Sequence, residues 1–286
     1  MKGLASLVKT KLVDAGRVQV LNLRGRVPSS PHPSHKFFDD YPRFYETSIT
    51  GIDKHRLQER YRALIEWNRE IIQGSRVLDL ASHDGRWSFA AVKAGAELAV
   101  GIEAREHLVK AAEENAQSYG LAGKLRFTQA DVFAHLDFLA EHPEHRFDVV
   151  FCFGFFYHTA HHMLLLNKIA KLKPRYLIVD TRVCLNPEAV IELHWENVAD
   201  ESSAAVPEAG EVHAIAGVPS KRALDLMLSA AGFGNFRYYP WRDAGITDWT
   251  KLDAYYREKR VSVVAEERPV TDEKGQAIAD GMKSRF

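Results

Sequence analysis

Cysteine is scarce in this sequence of 286 residues, which holds only Cys152 and Cys184. Two thiols cannot build a disulfide framework or a four-cysteine zinc site. Charge of one sign is also missing, since 38 Lys and Arg balance 38 Asp and Glu. A chain that grips long nucleic acid usually carries a basic excess, so such a partner is disfavoured, although a local patch stays open. No apolar run reaches the about 18 residues of a membrane span. Lys9, Lys11, Asp14 and Arg17 interrupt the start of the chain, which does not fit a secretory leader, so the expected location is the cytoplasm. Internal repeats and low-complexity blocks are absent. What remains is an ordinary globular composition, 46% apolar and 27% charged, at a length suited to one large domain with an embellishment.

Residues 1–53 read as an amino-terminal extension. Its first 26 residues carry Lys2, Lys9, Lys11, Arg17, Arg24 and Arg26 against Asp14, and Ser29 to Ser34 (SSPHPS) is a proline-bracketed linker. The basic stretch is either a solvated element added to a core or an arm for an anionic surface. Phe44 and Tyr45 suggest a lid that touches the acceptor. Over residues 54–73, Leu57, Tyr61, Leu64, Ile65, Asn68, Ile71 and Ile72 share one helical face, and Gly74 stops the helix.

Beyond Gly74, short apolar runs (76–80, 98–102, 124–128, 147–153, 176–180) alternate with amphipathic helical segments (87–94, 107–119, 132–140, 161–172). This alternation predicts βαβ units and a parallel sheet. A helix at 221–231 and strands at 236–239 and 261–266 break the rhythm and predict an antiparallel edge. Residues 181–220 are long for a loop and are expected to cover something. Residues 267–286 read as a polar tail.

The first strand runs Val77-Leu78-Asp79-Leu80 into Ala81-Ser82-His83-Asp84-Gly85 and then a helix. Such a turn presents backbone N–H groups at the carboxyl end of a sheet, where open α/β sheets bind ligands. Glu103 ends the second strand, where an acid can accept both hydroxyls of a ribose, and Asp131-Val132 ends the third.

The runs VLDLASHDGRWSFAA, GIEAR, QADVF and FDVVFCFGFFYHT resemble class I S-adenosylmethionine-dependent methyltransferases over residues 54–266. The resemblance implies a Rossmann-like α/β fold with a seven-stranded, mostly parallel sheet. It implies an S-adenosyl-L-methionine site formed by Asp79, Ala81, Ser82, Gly85, Glu103, Asp131, Val132 and Phe153. Ala81 and His83 stand where the family carries glycines; a donor without a pyrophosphate tolerates that loss better than NAD would. The segment Phe155 to Thr159, with Pro219-Ser220 and Ala231-Gly232-Phe233, is similar to a subgroup containing tRNA wobble-uridine carboxymethyl transferases and sugar and natural-product methyltransferases.

In that family the tip of the fourth strand faces the transferred methyl. His158 sits there as the candidate base, since a histidine suits proton abstraction near neutral pH. Tyr157 and His162 flank it as candidate acceptor contacts, with Thr159 as a helix cap. Glu192, His194 and Glu196 alternate along one strand face, and Glu192 and His194 are candidates for a polar pocket wall, with Tyr45 from the extension. Trp195 or Trp241 could stack on a sugar. The family's metal-dependent branch holds Mg²⁺ with acids at the tips of strands four and five; Asp180 is such an acid, and strand four offers none. Cys152 reads as a small buried hydrophobe. The expected reaction is O-methylation of a small polar acceptor such as a sugar hydroxyl. A tRNA-modifying transferase and a non-catalytic binding subunit are the alternatives.

Overall fold

The computed structural model describes residues 36–49, 53–200, 203–204 and 212–268. The basic stretch 1–26, the SSPHPS linker and residues 269–286 of the tail lie outside them.

A short 3-10 turn (Phe37–Asp40) and helix α1 (Arg43–Glu46) lead into α2 (Lys54–Tyr61), a π-helical turn (Arg62–Glu66) and α3 (Arg69–Ile72). The single helix expected over 54–73 is thus broken near Asn68, whose side-chain amide donates to the Leu64 carbonyl at 2.9 Å. Its apolar face is nevertheless buried as the spacing predicts, at Leu57, Tyr61, Leu64, Ile65 and Ile72. Then follow β1 (Arg76–Leu80), α4 (Arg86–Lys93), β2 (Leu98–Glu103), α5 (Glu106–Ser118), β3 (Leu125–Gln129), α6 (Val132–Glu141), β4 (Val149–Phe153), α7 (His162–Lys171) and β5 (Tyr176–Arg182). After β5 come β6 (Ile191–Asn197), β7 (His213–Pro219), α8 (Lys221–Ala230), β8 (Phe233–Tyr238), α9 (Asp253–Tyr256) and β9 (Arg260–Glu267).

Seven strands form one sheet in the order β3-β2-β1-β4-β5-β9-β8. β1 to β5 pair in parallel, and β9 runs antiparallel to both β5 and β8, which supplies the expected antiparallel edge. β8 begins three residues earlier than the sequence suggests, with Phe233 and Gly234 already paired to β9 before a register shift between Gly234 and Arg237. The strand order reverses between β1 and β4, and that switch point is where such sheets open a crevice.

Side-chain alternation explains the three layers. Leu78, Leu80, Val150 and Cys152 pack toward α6, α7 and α8 on one face. Val77, Val149, Phe151 and Phe153 pack on the other face with Trp87 and Phe89 of α4 and the α2–α3 segment. Cys152 is wholly buried, and burial pushes its thiol far above the ordinary range.

The described part of the extension is not a detached lid. Phe38 and Phe44 are fully buried in this second core, with Phe44 and Phe89 ring centroids 5.0 Å apart. An aromatic of that size contributes several kcal/mol through burial, roughly 2–3. β6 and β7 form a separate two-stranded hairpin within the expected cover segment.

Candidate functional site

The loop from β1 to α4 is held in an unusual conformation. Ala81 and His83 both have left-handed φ values, 53° and 55°. The backbone therefore keeps the shape that glycines usually supply, at a steric cost of about 1–2 kcal/mol per residue. Gly85, at φ 76°, is obligatory for a second reason: a Cβ there would stand 2.5 Å from the Phe127 ring.

Side chains hold the loop. The His83 amide donates to Glu103 Oε2 at 3.0 Å. His83 Nδ1 accepts from the Asp84 amide at 2.8 Å and faces Arg86 Nη2 at 3.0 Å. Asp84 is fully buried; Arg86 Nε donates to it at 2.7 Å, as does Thr47 Oγ1 at 2.7 Å. Burial pushes the Asp84 carboxyl up, yet the Arg86 charge and the other donors outweigh it and hold the carboxyl well below the usual range. Asn115 donates to both Thr47 Oγ1 and the Asp84 carbonyl, and receives Arg43 Nε. Thus the described extension braces the β1–α4 loop, where an acceptor-side role was expected. Thr47 gave no sequence signal for this.

Asp79 lies in the buried part of β1, and Ser88 Oγ of α4 donates to it at 2.7 Å. Glu103 stands at the end of β2 as expected and is almost fully buried. Arg105 Nε donates to it at 2.7 Å and the Arg105 amide at 3.1 Å. Asp131 caps α6 through the Ala134 amide at 2.9 Å. Val132, the first residue of α6, is buried, and Phe153 meets Trp87 edge-on at 5.9 Å. Ser82 Oγ and His83 Nε2 are buried without a hydrogen-bond partner among the described residues. A loop shaped this way, with unsatisfied polar atoms and an acid on the adjacent strand tip, fits a polar ligand such as a nucleoside.

At the tip of β4, a 3-10 turn (Phe156–His158) places the His158 ring against the β6–β7 hairpin. His158 Nδ1 is hydrogen-bonded to Glu196 of β6. Burial pushes the Glu196 carboxyl up, but the bond and charge of His158 prevail and hold it below the ordinary value. An ionised carboxylate only accepts hydrogen bonds, so Nδ1 carries the proton and Nε2 keeps its lone pair in the neutral ring. Glu196 shares its strand face with Glu192 and His194, which are exposed. The period-two pattern held the signal for Glu196, but nothing in the sequence distinguished it from its two neighbours.

Several expectations are corrected. His162 is buried, with Nε2 at 3.1 Å from the Gly217 carbonyl and its ring 4.7 Å from Phe156; it is a core residue rather than an acceptor contact. Burial lowers its pKa to about 4. Tyr45 donates to Asp39 at 2.8 Å and lies beneath Lys54, so its contacts are local to the extension and α2. Trp241 is buried and stacked on Tyr255 at 3.8 Å, which removes it as a sugar platform, whereas Trp195 is 71% exposed. Thr159 Oγ1 accepts from the His161 amide at 3.0 Å, but the N-cap of α7 is His161, so Thr159 stands before the helix and is not the expected cap.

Asp180 is not a metal acid. It is fully buried and receives Arg260 Nε at 2.8 Å, Arg60 Nη2 at 3.0 Å, Tyr255 Oη at 2.9 Å and Ser262 Oγ at 2.7 Å. Two guanidinium groups already compensate its charge, so its donor set does not suit Mg²⁺. Among the described residues no cluster of three or more His, Cys, Asp or Glu side chains could hold a metal ion.

A family model described as a methyltransferase domain matches residues 71–241. The chain belongs to the methyltransferase-domain family. Its fold is that of class I S-adenosylmethionine-dependent methyltransferases. The N-terminal domain of EvdMO1 with SAH bound superposes with a TM-score of 0.55 at 18% identity, covering 83% of this chain and 100% of that one. The same domain in the presence of SAH and D-fucose gives 0.54 at 18% identity, with the same coverage. Magnesium protoporphyrin IX methyltransferase (ChlM) from Synechocystis PCC 6803 with bound SAM gives 0.50 at 15% identity, covering 80% of this chain and 91% of that one. A search of curated proteins gives no match. Among the described residues no helix of this methyltransferase is long and apolar enough to cross a membrane.

Proposed function

We propose that the chain methylates a hydroxyl group of a small polar acceptor, of the sugar or glycoside class, with S-adenosyl-L-methionine as donor. The observation that carries this reading is the His158–Glu196 pair at the tip of β4.

When bound, S-adenosyl-L-methionine supplies an electrophilic methyl group on a sulfonium sulfur. The β1–α4 loop and Glu103 would hold it, with Glu103 exchanging Arg105 for the ribose hydroxyls, Asp131 and Val132 beside the adenine, and Phe153 below the reacting centre. His158 Nε2 would accept the proton of the acceptor hydroxyl, whose oxygen would take the donor's methyl. The methyl–sulfur bond breaks, and the sulfur is left as the thioether of S-adenosyl-homocysteine. Glu196 fixes the tautomer that leaves Nε2 free and stabilises the imidazolium that forms. A hydroxyl needs such a base, whereas an already neutral amine does not. Glu192 and His194, on the same hairpin face, supply polar contacts suited to a polyol, with Tyr157 beside the base.

The test uses methyl-labelled S-adenosyl-L-methionine and a panel of sugars and glycosides that includes D-fucose. His158→Ala should lower kcat by about 10²–10⁴, the usual contribution of a general base. Affinity for S-adenosyl-homocysteine, the demethylated product, should stay within about twofold, since no donor contact is removed. A near-wild-type rate in the variant would overturn the role of His158.

A further inference from the structure

Next to the proposed base lies an excess of positive charge around the buried Arg260, with Arg56 and Arg60 half-buried and Arg182 exposed. Tyr157, whose ring centroid is 4.2 Å from that of His158, lies beneath the guanidinium groups of Arg260, at 5.4 Å, and Arg182, at 5.6 Å. Arg260 continues to Asp180, which also receives Arg60 of α2. Arg56 stands one turn before Arg60 on the same helix face. The field of Arg60 and Arg260 reaches Arg56: burial first, then these like charges, hold its guanidinium below the ordinary value. The nearby acid of α2, Glu59, is taken by Arg62 at 2.6 Å. Arg60 and Arg260 therefore share one carboxylate, Asp180, and Arg56 adds a third positive charge with no carboxylate of its own among the described residues. Two further observations mark a missing partner. Arg60 Nε is buried without a hydrogen-bond partner among the described residues. The Arg56 side chain has neither a hydrogen bond nor an ion pair among them. Like charges gathered in a sparsely solvated site lack compensation until an anion enters.

We propose that Arg56, Arg60 and Arg260 form an anion subsite that takes a carboxylate or phosphate group on the methyl acceptor. The acceptor is then a hydroxylated acid or phosphate ester, with its anionic group at the arginines and its hydroxyl at His158. This inference rests on the proposed methyl-transfer reading, because it places the acceptor beside that histidine.

The experiment is calorimetry on the full chain saturated with S-adenosyl-homocysteine, titrated with inorganic phosphate. Saturable phosphate binding is expected, weakened about tenfold or more in Arg56→Gln, in line with the loss of a charge-assisted hydrogen bond. Arg60→Lys, which keeps the charge beside Asp180, provides a second variant that should also weaken binding. Affinity for S-adenosyl-homocysteine should be unchanged in Arg56→Gln. Absence of phosphate binding by the wild type, or equal binding by both variants, overturns the subsite. A tenfold loss of S-adenosyl-homocysteine affinity in Arg56→Gln also overturns it, since the arginines would then serve the donor's own carboxylate. Failure of the wild type to bind S-adenosyl-homocysteine would instead overturn the methyl-transfer reading, and the two failures are read from separate titrations.

Discussion

Asp79 carries a pH dependence that can be worked through from its surroundings. Its carboxyl is buried on β1 beneath α4, with only 1% of the residue exposed. Burial pushes the pKa from an ordinary 3.8 up to about 7, against the hydrogen bonds from Ser88 and with the help of the Glu103 and Asp84 charges. An acid whose folded pKa is raised binds its proton more tightly in the native chain than in the unfolded one. The native state therefore loses stability as pH rises from the unfolded value through the folded value, and the loss is complete above it. Between pH 5 and pH 8 this cost grows by about 2.5 kcal/mol at 1.36 kcal/mol per pKa unit.

Asp79→Asn is nearly isosteric, remains neutral, and can still share a hydrogen bond with Ser88. Its stability relative to wild type should therefore rise between pH 5 and pH 8 by about 2.5 kcal/mol. For a domain of this size that corresponds to a Tm gap that widens by about 5–10 °C. The assay is thermal unfolding of both proteins at the two pH values without S-adenosyl-L-methionine, because a bound ligand would add its own stabilisation. An equal Tm difference at both pH values would refute the reasoning, since Asp79 would then be ionised throughout the range.

Two further outcomes are expected. Glu103→Ala should weaken S-adenosyl-L-methionine binding about tenfold or more in calorimetry, as charged hydrogen bonds contribute about 1.5–3 kcal/mol; an unchanged affinity would remove Glu103 from the ribose site. Phe44→Ala should cost about 3–5 kcal/mol in denaturant unfolding, the usual effect of emptying a buried aromatic site; a cost below about 1 kcal/mol would mean that the extension sits on the surface after all.

Much of the sheet was legible because each strand is a short apolar run bounded by a helix of period 3.6, and the acids at the strand tips fall in chain order. His162 was expected as an acceptor contact and its core position was missed, although the sequence carried a signal for it. It lies on one stripe with Leu165, Leu166 and Ile169, so the helical period alone directs it inward. What could not be read were contacts between distant segments. Asp180 meets Arg60 across 120 residues and Arg260 across 80, and no local pattern couples them. Read alone at a strand tip, an acid looks like a metal ligand; two buried guanidinium groups give it another role. The extension was misjudged for a similar reason. Phe37-Phe38 and Phe44-Tyr45 are separated by acids and a proline, which suppresses any helical or strand period, yet aromatic mass at that density rarely stays in water.

The β1–α4 loop shows how a departure from a family pattern is absorbed. Ala81 and His83 hold left-handed backbone that glycine would adopt more cheaply, so the conformation must be held from outside. Here the restraint is visible: the His83 amide is fixed by Glu103, its imidazole by Asp84 and Arg86, and Asp84 in turn by Thr47 and Asn115. Non-glycine residues also have fewer unfolded conformations to lose, which offsets part of the strain. A loop ordered in this way before any ligand arrives does not spend binding energy on its own ordering. The same network ties the extension to the β1–α4 loop, the donor site of the proposed reading, which assigns the hairpin carrying Glu196 and the arginines of α2 and β9 to the acceptor. If that reading holds, donor binding and acceptor recognition rest on different segments of the chain, and substitutions in one should leave the other's affinity largely intact.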